Sequence, residues 1–188
     1  GGGAGGVVDA LKRTKPSEHS GVSVCAGHGD MLGGCGLWYT MSVYDWSARM
    51  PLVMAGPGIP VAKRIKANCG LVDLLPTLVD LAITEEWEGY PEPPDGESLL
   101  PLLKQDSDNR IAVSELMSEG VAAPYILLRK GKFKLTYVQH DPPQLFDMEA
   151  DRDELRDLAA YPHYASVLDD MLAEVARRWD MPRLKKEI

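Results

Sequence analysis

The sequence predicts an α/β fold in two parts, residues 1–108 and residues 109–188, and three observations carry this prediction. In the first part, short apolar runs alternate with helical patterns, as they do in α/β proteins. In the second part, several short strand patterns follow one another and precede a helical pattern, which indicates a small antiparallel sheet backed by a helix. The chain has 188 residues, 45% of them hydrophobic, which is enough for a domain with a subdomain and a real core.

Four elements are predicted in the first part. Residues 7–13 are predicted to form an amphipathic helix, because their apolar side chains recur at helical spacing. Residues 22–26 and 51–55 are apolar runs and are predicted as buried strands. Residues 71–81 carry leucines at helical spacing, and this helix is expected to begin late, with Pro76 in its first turn.

The second part is predicted to contain a sheet and two helices. Its predicted strands are residues 111–115, 125–129, 132–138 and 144–147, and its predicted helices are residues 151–159 and 165–179. Lys130 and Gly131 separate two of these strands and indicate a hairpin. The hairpin carries four basic residues, which are interpreted as a solvated edge: Arg129, Lys130, Lys132 and Lys134.

Composition excludes several classes of function. A net charge of −8 makes the chain a poor partner for nucleic acid or for an anionic membrane surface. Cys25, Cys35 and Cys69 are an odd number without CxxC spacing, which argues against a disulfide framework and a structural zinc site. Cys25 is expected to be buried in its strand. No apolar run predicts a membrane span and no signal-peptide pattern opens the chain, so a cytoplasmic location is expected.

The most informative stretch is residues 26–39, at the end of the first predicted strand. It reads AGHGDMLG, followed after two residues by GLWY. A strand that ends in small residues with a histidine and an aspartate is how many α/β enzymes present polar groups at a sheet edge. Taken alone, His28 is better explained as a hydrogen-bonded histidine at the edge of the core than as a ligand, and Asp30 as a loop-capping carboxylate. Trp38 and Tyr39 are interpreted as packing residues beside a pocket.

Several motifs along the chain follow the order of a known family. They are HGDMLG at residues 28–33, GLWY at 36–39, ARMPL at 48–52, PG at 57–58, VDLLPTL at 72–78, QLFD at 144–147 and DRDE at 151–154. Together they resemble the sulfatase family, within the alkaline-phosphatase-like superfamily. Choline-sulfatase-like members look most similar, through the HGDMLG and GLWY motifs and the DPPQLFD stretch. The resemblance extends over nearly the whole chain after Gly6.

This resemblance implies the C-terminal portion of a sulfatase. The expected fold is then the C-terminal part of an alkaline-phosphatase-like mixed sheet, plus a small α+β subdomain with an antiparallel sheet and a C-terminal helix. The family's nucleophile is a Cys or Ser converted to formylglycine within a C/S-x-P-x-R motif. None of the three cysteines has that context, so the nucleophile and the paired aspartates that hold the metal are expected upstream of residue 1. No catalytic or substrate-binding residue is therefore assigned in this chain.

The resemblance also implies one metal ligand. In the family the strand end reads Ser/Ala-Asp-His/Asn-Gly and contributes to a divalent cation site, Ca²⁺ or Mn²⁺. Ala26 and His28 match, which makes His28 the metal-ligand candidate, but Gly27 stands where the aspartate belongs. Thr40 likewise replaces a lysine that reaches the sulfate, and residues 34–35 replace a charged pair. Because a cation site that loses a carboxylate loses a bond and a charge, this chain alone is not expected to hold the metal.

Two functional hypotheses follow from the resemblance. In the first, the chain is the C-terminal fragment of a sulfuric-ester hydrolase, inactive alone, whose substrate in the intact enzyme is a small sulfate ester. A phosphonate or phosphodiester hydrolase of the same superfamily is a close variant. In the second, the chain is a noncatalytic sulfatase-like module for assembly or binding. In this second hypothesis the long C-terminal helix and Trp179 pack on a neighbouring chain. The resemblance to choline-sulfatase-like proteins implies a homo-oligomer formed through the C-terminal region.

Overall fold

The structure, a computed structural model, describes residues 2–14, 19–83, 88–107, 109–117, 121, 123–180 and 183. Its helices are α1 (Gly2–Thr14), α2 (Asp45–Ala48), α3 (Leu74–Ala82) and α4 (Ala165–Arg178). Its strands are β1 (Val22–Cys25), β2 (Leu52–Ala55), β3 (Ile111–Leu116), β4 (Tyr125–Lys130), β5 (Phe133–Val138) and β6 (Gln144–Asp147). Within these described ranges, none of the helices has both the length and the apolar character needed to span a bilayer.

The chain divides into two compact units. The first contains Gly1–Gly27, Met50–Ile65 and Leu71–Asp106, and the second contains His28–Arg49, Lys66–Gly70 and Ser107–Ile188. Each unit is therefore assembled from segments that are distant in sequence. The predicted domain ranges, residues 1–108 and 109–188, stay a prediction. Helix α1 contains the predicted residues 7–13 and extends further at both ends.

In the first unit, β1 and β2 pair as an antiparallel sheet with Val22 opposite Ala55. Both strands form where they are predicted, but the expectation that they are buried is wrong. Val24 and Val53 are 42% and 63% exposed, and Cys25 is exposed as well. A pair of strands buries its side chains only when another layer covers it, and the described part of the chain lays none over these residues.

Helix α3 has Pro76 in its first turn, as predicted. Asp73 precedes the helix, and its Oδ1 accepts the amide N–H of Glu97 at 2.9 Å. Thr77 is fully buried; its hydroxyl donates to the Asp73 carbonyl at 2.6 Å and accepts the N–H of Leu99 at 2.9 Å. The bonds from Glu97 and Leu99 join the start of α3 to a later loop of the same unit, and the bond between Thr77 and Asp73 closes the first turn.

The second unit contains the predicted antiparallel sheet, in the strand order β3-β4-β5-β6. In the β4–β5 hairpin, Lys130 lies opposite Phe133, and Gly131 adopts a φ of 53°, which glycine tolerates without steric strain. Helix α4 packs on this sheet, which confirms the predicted C-terminal helix. The core between them is formed by Ile126, Leu128, Leu135, Leu145, Leu158, Met171 and Val175.

Residues 151–159, predicted as a helix, form an irregular loop after β6, so that prediction is wrong. Asp151 accepts two backbone N–H groups at 3.1 and 2.8 Å, and Asp157 accepts two more at 3.0 and 2.9 Å. Such local side-chain bonds compete with helical ones. Glu154 also adopts a φ of 56°, which a right-handed helix does not accommodate.

Trp179, at the end of α4, packs against the core of its own unit. Its indole N–H donates to the carboxylate of Glu115 in β3. Trp179 therefore has a partner within its own chain, and its packing on a neighbouring chain stays a prediction. Residues 181–182 and 184–188 lie outside the described residues, and the homo-oligomer stays a prediction.

Candidate functional site

Residues 28–49, which carry the HGDMLG and GLWY motifs, form one continuous segment of the second unit, the site loop. Backbone hydrogen bonds hold the segment closed. The Gly29 N–H donates to the Ser47 carbonyl at 2.8 Å, and the Gly33 N–H donates to the Leu37 carbonyl at 2.8 Å. Met31 anchors the segment with a side chain that is 2% exposed. The site loop is thus an ordered structure that ends in the short helix α2.

His28 begins the site loop with an exposed side chain. Its Nδ1 lies 3.0 Å from the carbonyl oxygen of Gly29. In the tautomer whose Nδ1–H donates to that oxygen, the lone pair of Nε2 is available. Metal-ligating histidines commonly donate their other ring N–H to a backbone carbonyl in this way. The geometry suits a single metal ligand, and the assignment of His28 stays a prediction.

Two glycines beside His28 differ in the space around them. A Cβ at Gly29 would lie 2.1 Å from the Trp46 carbonyl oxygen, so the site loop in this form requires glycine there. A Cβ at Gly27 would meet no atom within 4 Å. Position 27 therefore has space for a side chain, and it lacks a carboxylate only because the residue there is glycine.

The described residues do not form a metal site by themselves. Among them, no group of three or more His, Cys, Asp or Glu side chains is placed to hold an ion. Thr40, at the position of the expected lysine, is used inside the site loop, where its carbonyl accepts the Ser47 hydroxyl. Ca²⁺ and Mn²⁺ favour several oxygen ligands, which one imidazole does not supply. His28 therefore has no preformed cluster of His, Cys, Asp or Glu partner ligands among the described residues.

Aromatic side chains cover part of the outer surface of the site loop. Trp38, Tyr39 and Trp46 are 66%, 78% and 59% exposed. Trp38 and Tyr39 are therefore largely exposed, and their interpretation as packing residues beside a pocket stays a prediction. Exposed aromatic groups on one segment are candidates for contact with a ligand or another polypeptide.

An ion network joins the site loop to the sheet. Nζ of Lys134 lies 3.1 Å from Oδ1 of Asp45 and 2.5 Å from Oε1 of Glu154, and Lys134 is 0% exposed. The interpretation of Lys134 as part of a solvated edge is therefore wrong. No local signal predicts this network, because Lys134 is 89 residues from Asp45 in the sequence.

Asp147, the last residue of the QLFD motif, has a structural role. Its Oδ1 accepts the N–H groups of Glu149 and Ala150 at 3.1 and 3.2 Å, and its Oδ2 lies 2.6 Å from Nζ of Lys132. Burial alone would raise the pKa of Asp147, but the bond from Lys132 and the two N–H groups together hold that pKa below its ordinary value. The motif carboxylate thus stabilises the turn after β6.

Comparison with known proteins places these motifs in a family. Residues 33–180 match the family described as N-sulphoglucosamine sulphohydrolase, C-terminal. The choline-sulfatase of Rhizobium meliloti (strain 1021) is 40% identical over 158 residues, which are 84% of this chain and 30% of that protein. A putative sulfatase from Bacteroides thetaiotaomicron VPI-5482 superposes with a TM-score of 0.77 and 30% identity, over 95% of this chain and 39% of its own. The phosphonate monoester hydrolase SpPMH from Silicibacter pomeroyi superposes with a TM-score of 0.76 and 31% identity, over 92% and 37%.

These matches confirm the family resemblance and the expected fold. The similarity to a choline-sulfatase agrees with the motifs at residues 28–39, and the solved sulfatase shares the α/β architecture of the alkaline-phosphatase-like fold. The chain spans 30% of the choline-sulfatase and 39% of the Bacteroides sulfatase, so it is compared with only part of each. Because the family match extends from residue 33 to residue 180, the chain belongs to the sulfatase family and corresponds to its C-terminal portion.

Proposed function

We propose that this chain is the C-terminal part of a sulfuric-ester hydrolase and that it does not cleave sulfate esters by itself. The main evidence for this proposal is the set of potential metal ligands in and around the site loop. His28 has one available ring nitrogen in a closed segment, yet the described residues supply no cluster of further ligands around an ion. A single ordered ligand, without further ligands around the ion, fits one half of an active centre whose other half is formed elsewhere in the polypeptide.

The chemistry of the reaction supports this division. Cleavage of a sulfate ester requires stabilisation of negative charge on the sulfuryl oxygens and on the leaving oxygen. The site loop offers the imidazole of His28, and glycine and threonine stand at positions 27 and 40, where the family has an aspartate and a lysine. The charged groups and the divalent ion that the family uses therefore belong, in this proposal, to the assembled enzyme, and no cleavage step is assigned to this chain alone.

Assays of the isolated 188-residue chain test the first half of the proposal. The chain is incubated with 4-nitrophenyl sulfate or choline sulfate and with Ca²⁺ or Mn²⁺, and metal binding is measured by calorimetry. We expect no sulfate release above the buffer rate and a metal Kd weaker than about 1 mM, the range of the weakest protein calcium sites. Sulfatase activity that co-purifies with the chain would overturn the proposal.

A chimera tests the second half. The matched stretch of the Rhizobium meliloti choline-sulfatase is replaced by this chain, and a His28→Ala variant is made in parallel. We expect the chimera to release sulfate once Gly27→Asp restores the carboxylate, and His28→Ala to weaken the metal affinity of that chimera by at least about tenfold. A folded chimera that is inactive, and remains inactive when Gly27→Asp restores the carboxylate, would instead support the noncatalytic module.

Phosphonate ester hydrolysis is a second candidate. SpPMH is a phosphonate monoester hydrolase, and its identity to this chain, 31%, is about the same as that of the Bacteroides sulfatase, 30%. One metal-assisted site can serve either ester. The same chimera, assayed with an aryl sulfate and an aryl phosphonate monoester, separates the two: the larger kcat/KM identifies the ester class that this portion of the enzyme favours.

A further inference from the structure

The network of Lys134, Asp45 and Glu154 joins three segments that are distant in the sequence of the second unit. Lys134 lies in β5, Asp45 is the first residue of α2, and Glu154 lies in the loop after β6. Oε2 of Glu154 accepts the backbone N–H of Asp45 at 2.7 Å, while its Oε1 lies 2.5 Å from Nζ of Lys134. One carboxylate thus binds both the backbone of the site loop and the cation that pairs with the loop's own carboxylate.

Stability alone is a poor explanation for this network. Lys134 and Glu154 are 0% and 6% exposed, and buried charges lose as much solvation as their mutual attraction returns. Apolar residues of similar volume often stabilise a core at least as well. Glu154 also has a φ of 56°, a strained backbone conformation for a residue other than glycine. Buried ion networks that are kept despite such costs are best known for fixing one particular arrangement.

A short series of bonds leads from the network to His28. Asp45 begins α2, where its carbonyl accepts the Arg49 N–H at 2.9 Å. In the same turn, the Ser47 carbonyl accepts the Gly29 N–H at 2.8 Å. Gly29 follows His28 directly, and its carbonyl is the partner of the imidazole Nδ1 at 3.0 Å. Helix α2 therefore holds the backbone that orients the imidazole, and the ion network holds α2.

We propose that Lys134 and Glu154 are positioning residues, which act through Asp45 to set the orientation of His28. The importance of that orientation for metal binding rests on the proposed function, whereas the positioning itself does not. Loss of the Lys134 charge then releases the site loop, while the β4–β5 hairpin keeps its own ladder of backbone bonds.

Amide hydrogen exchange on the full 188-residue chain tests this proposal without metal or substrate. Lys134→Met removes the charge at similar side-chain length. Lys132→Met, the matched control, makes the same change two residues away, at a lysine whose side chain is 45% exposed and pairs with Asp147. We expect Lys134→Met to speed exchange of the Gly29 amide at least about tenfold, which corresponds to about 1.4 kcal/mol, and that of Leu128 in β4 less than about twofold. Lys132→Met should leave Gly29 unchanged.

Two more variants keep the proposal falsifiable if Lys134→Met does not fold. Lys134→Arg retains the charge, so exchange at Gly29 should stay within about threefold of the original chain. Glu154→Gln should speed exchange at Gly29 at least about tenfold and shift the NMR signal of the His28 ring. Unchanged exchange at Gly29 in Lys134→Met and Glu154→Gln, or equal acceleration at Gly29 and Leu128, would overturn the positioning role. Either result is distinct from a failure of the sulfatase assays, which depend on the rest of the enzyme.

Discussion

Replacement of Gly29 by alanine should disrupt the site loop, because the added methyl group has no space. Its Cβ would lie 2.1 Å from the Trp46 carbonyl oxygen, whereas ordinary contacts begin at 3.4 Å, so the oxygen must withdraw by about 1.3 Å, the difference of the two distances. The next carbonyl, that of Ser47, accepts the Gly29 N–H at 2.8 Å. A shift of the same size would lengthen this bond to about 4 Å, beyond hydrogen-bonding range.

The loss of that bond sets the expected magnitude. Leaving a backbone donor and acceptor unpaired in a partly buried turn costs about 1–3 kcal/mol. If the loop keeps its position instead and absorbs the overlap as strain, the cost is again about 1–3 kcal/mol. Since each kcal/mol lowers the melting temperature of a chain of this size by about 2–4 °C, the middle of the range corresponds to a decrease of about 4–8 °C.

Gly27→Ala is the matched control, because a Cβ at Gly27 meets no atom within 4 Å. We expect it to change the free energy of unfolding by no more than about 0.5 kcal/mol, or to raise it slightly by restricting the unfolded chain. Urea unfolding followed by circular dichroism and tryptophan fluorescence compares the two variants. Identical unfolding midpoints and identical fluorescence for Gly29→Ala and Gly27→Ala would refute the steric argument.

Three further predictions concern other parts of the chain. Thr77→Val removes the hydroxyl that accepts the Leu99 N–H and should lower the free energy of unfolding by about 1–3 kcal/mol, whereas Thr77→Ser keeps the hydroxyl and should cost about 1 kcal/mol; urea unfolding measures both. The pKa of Asp147 is lower in the folded chain than its ordinary value of 3.8, so its contribution to stability is complete above that value and is lost as the pH falls through the folded-state pKa. Stability measured from about pH 5 to about pH 2 should therefore fall less steeply in Asp147→Asn, and an equal slope would contradict the assigned role. Gly27→Asp in the isolated chain should not create activity, because the 188 residues contain no C/S-x-P-x-R motif; sulfate release detected by ion chromatography would show this to be wrong.

The framework of the second unit is predictable because its signals are local. Helix α4 repeats apolar residues at helical spacing, and two of them, Met171 and Val175, lie in the core. The hairpin between β4 and β5 depends on the turn preference of Gly131 and on the apolar residues that flank it. In each case a few neighbouring residues determine the element.

The wrong predictions concern side chains whose partners are distant or whose bonds compete with a local pattern. A lysine in an alternating strand is expected at the surface, because lysines are rarely buried unless paired, and nothing near Lys134 in the sequence reveals its partner Asp45. The segment 151–159 has helical character in its composition, yet Asp151 and Asp157 bind backbone N–H groups and prevent the helix. The strands β1 and β2 form as predicted, but their burial depends on what covers them.

The amino-acid sequence by itself determines the family, the strand hairpin, the C-terminal helix and the position of the HGDMLG motif, because ordered motifs and local conformational preferences extend over only a few residues each. Only the tertiary structure decides that Lys134 is buried beside two carboxylates, that Gly29 has no space for a side chain while Gly27 has, and that His28 has its Nδ1 bonded and no ligand cluster among the described residues. Burial, charge pairing and free space depend on which distant segments come into contact on folding, and no short sequence pattern predicts those contacts.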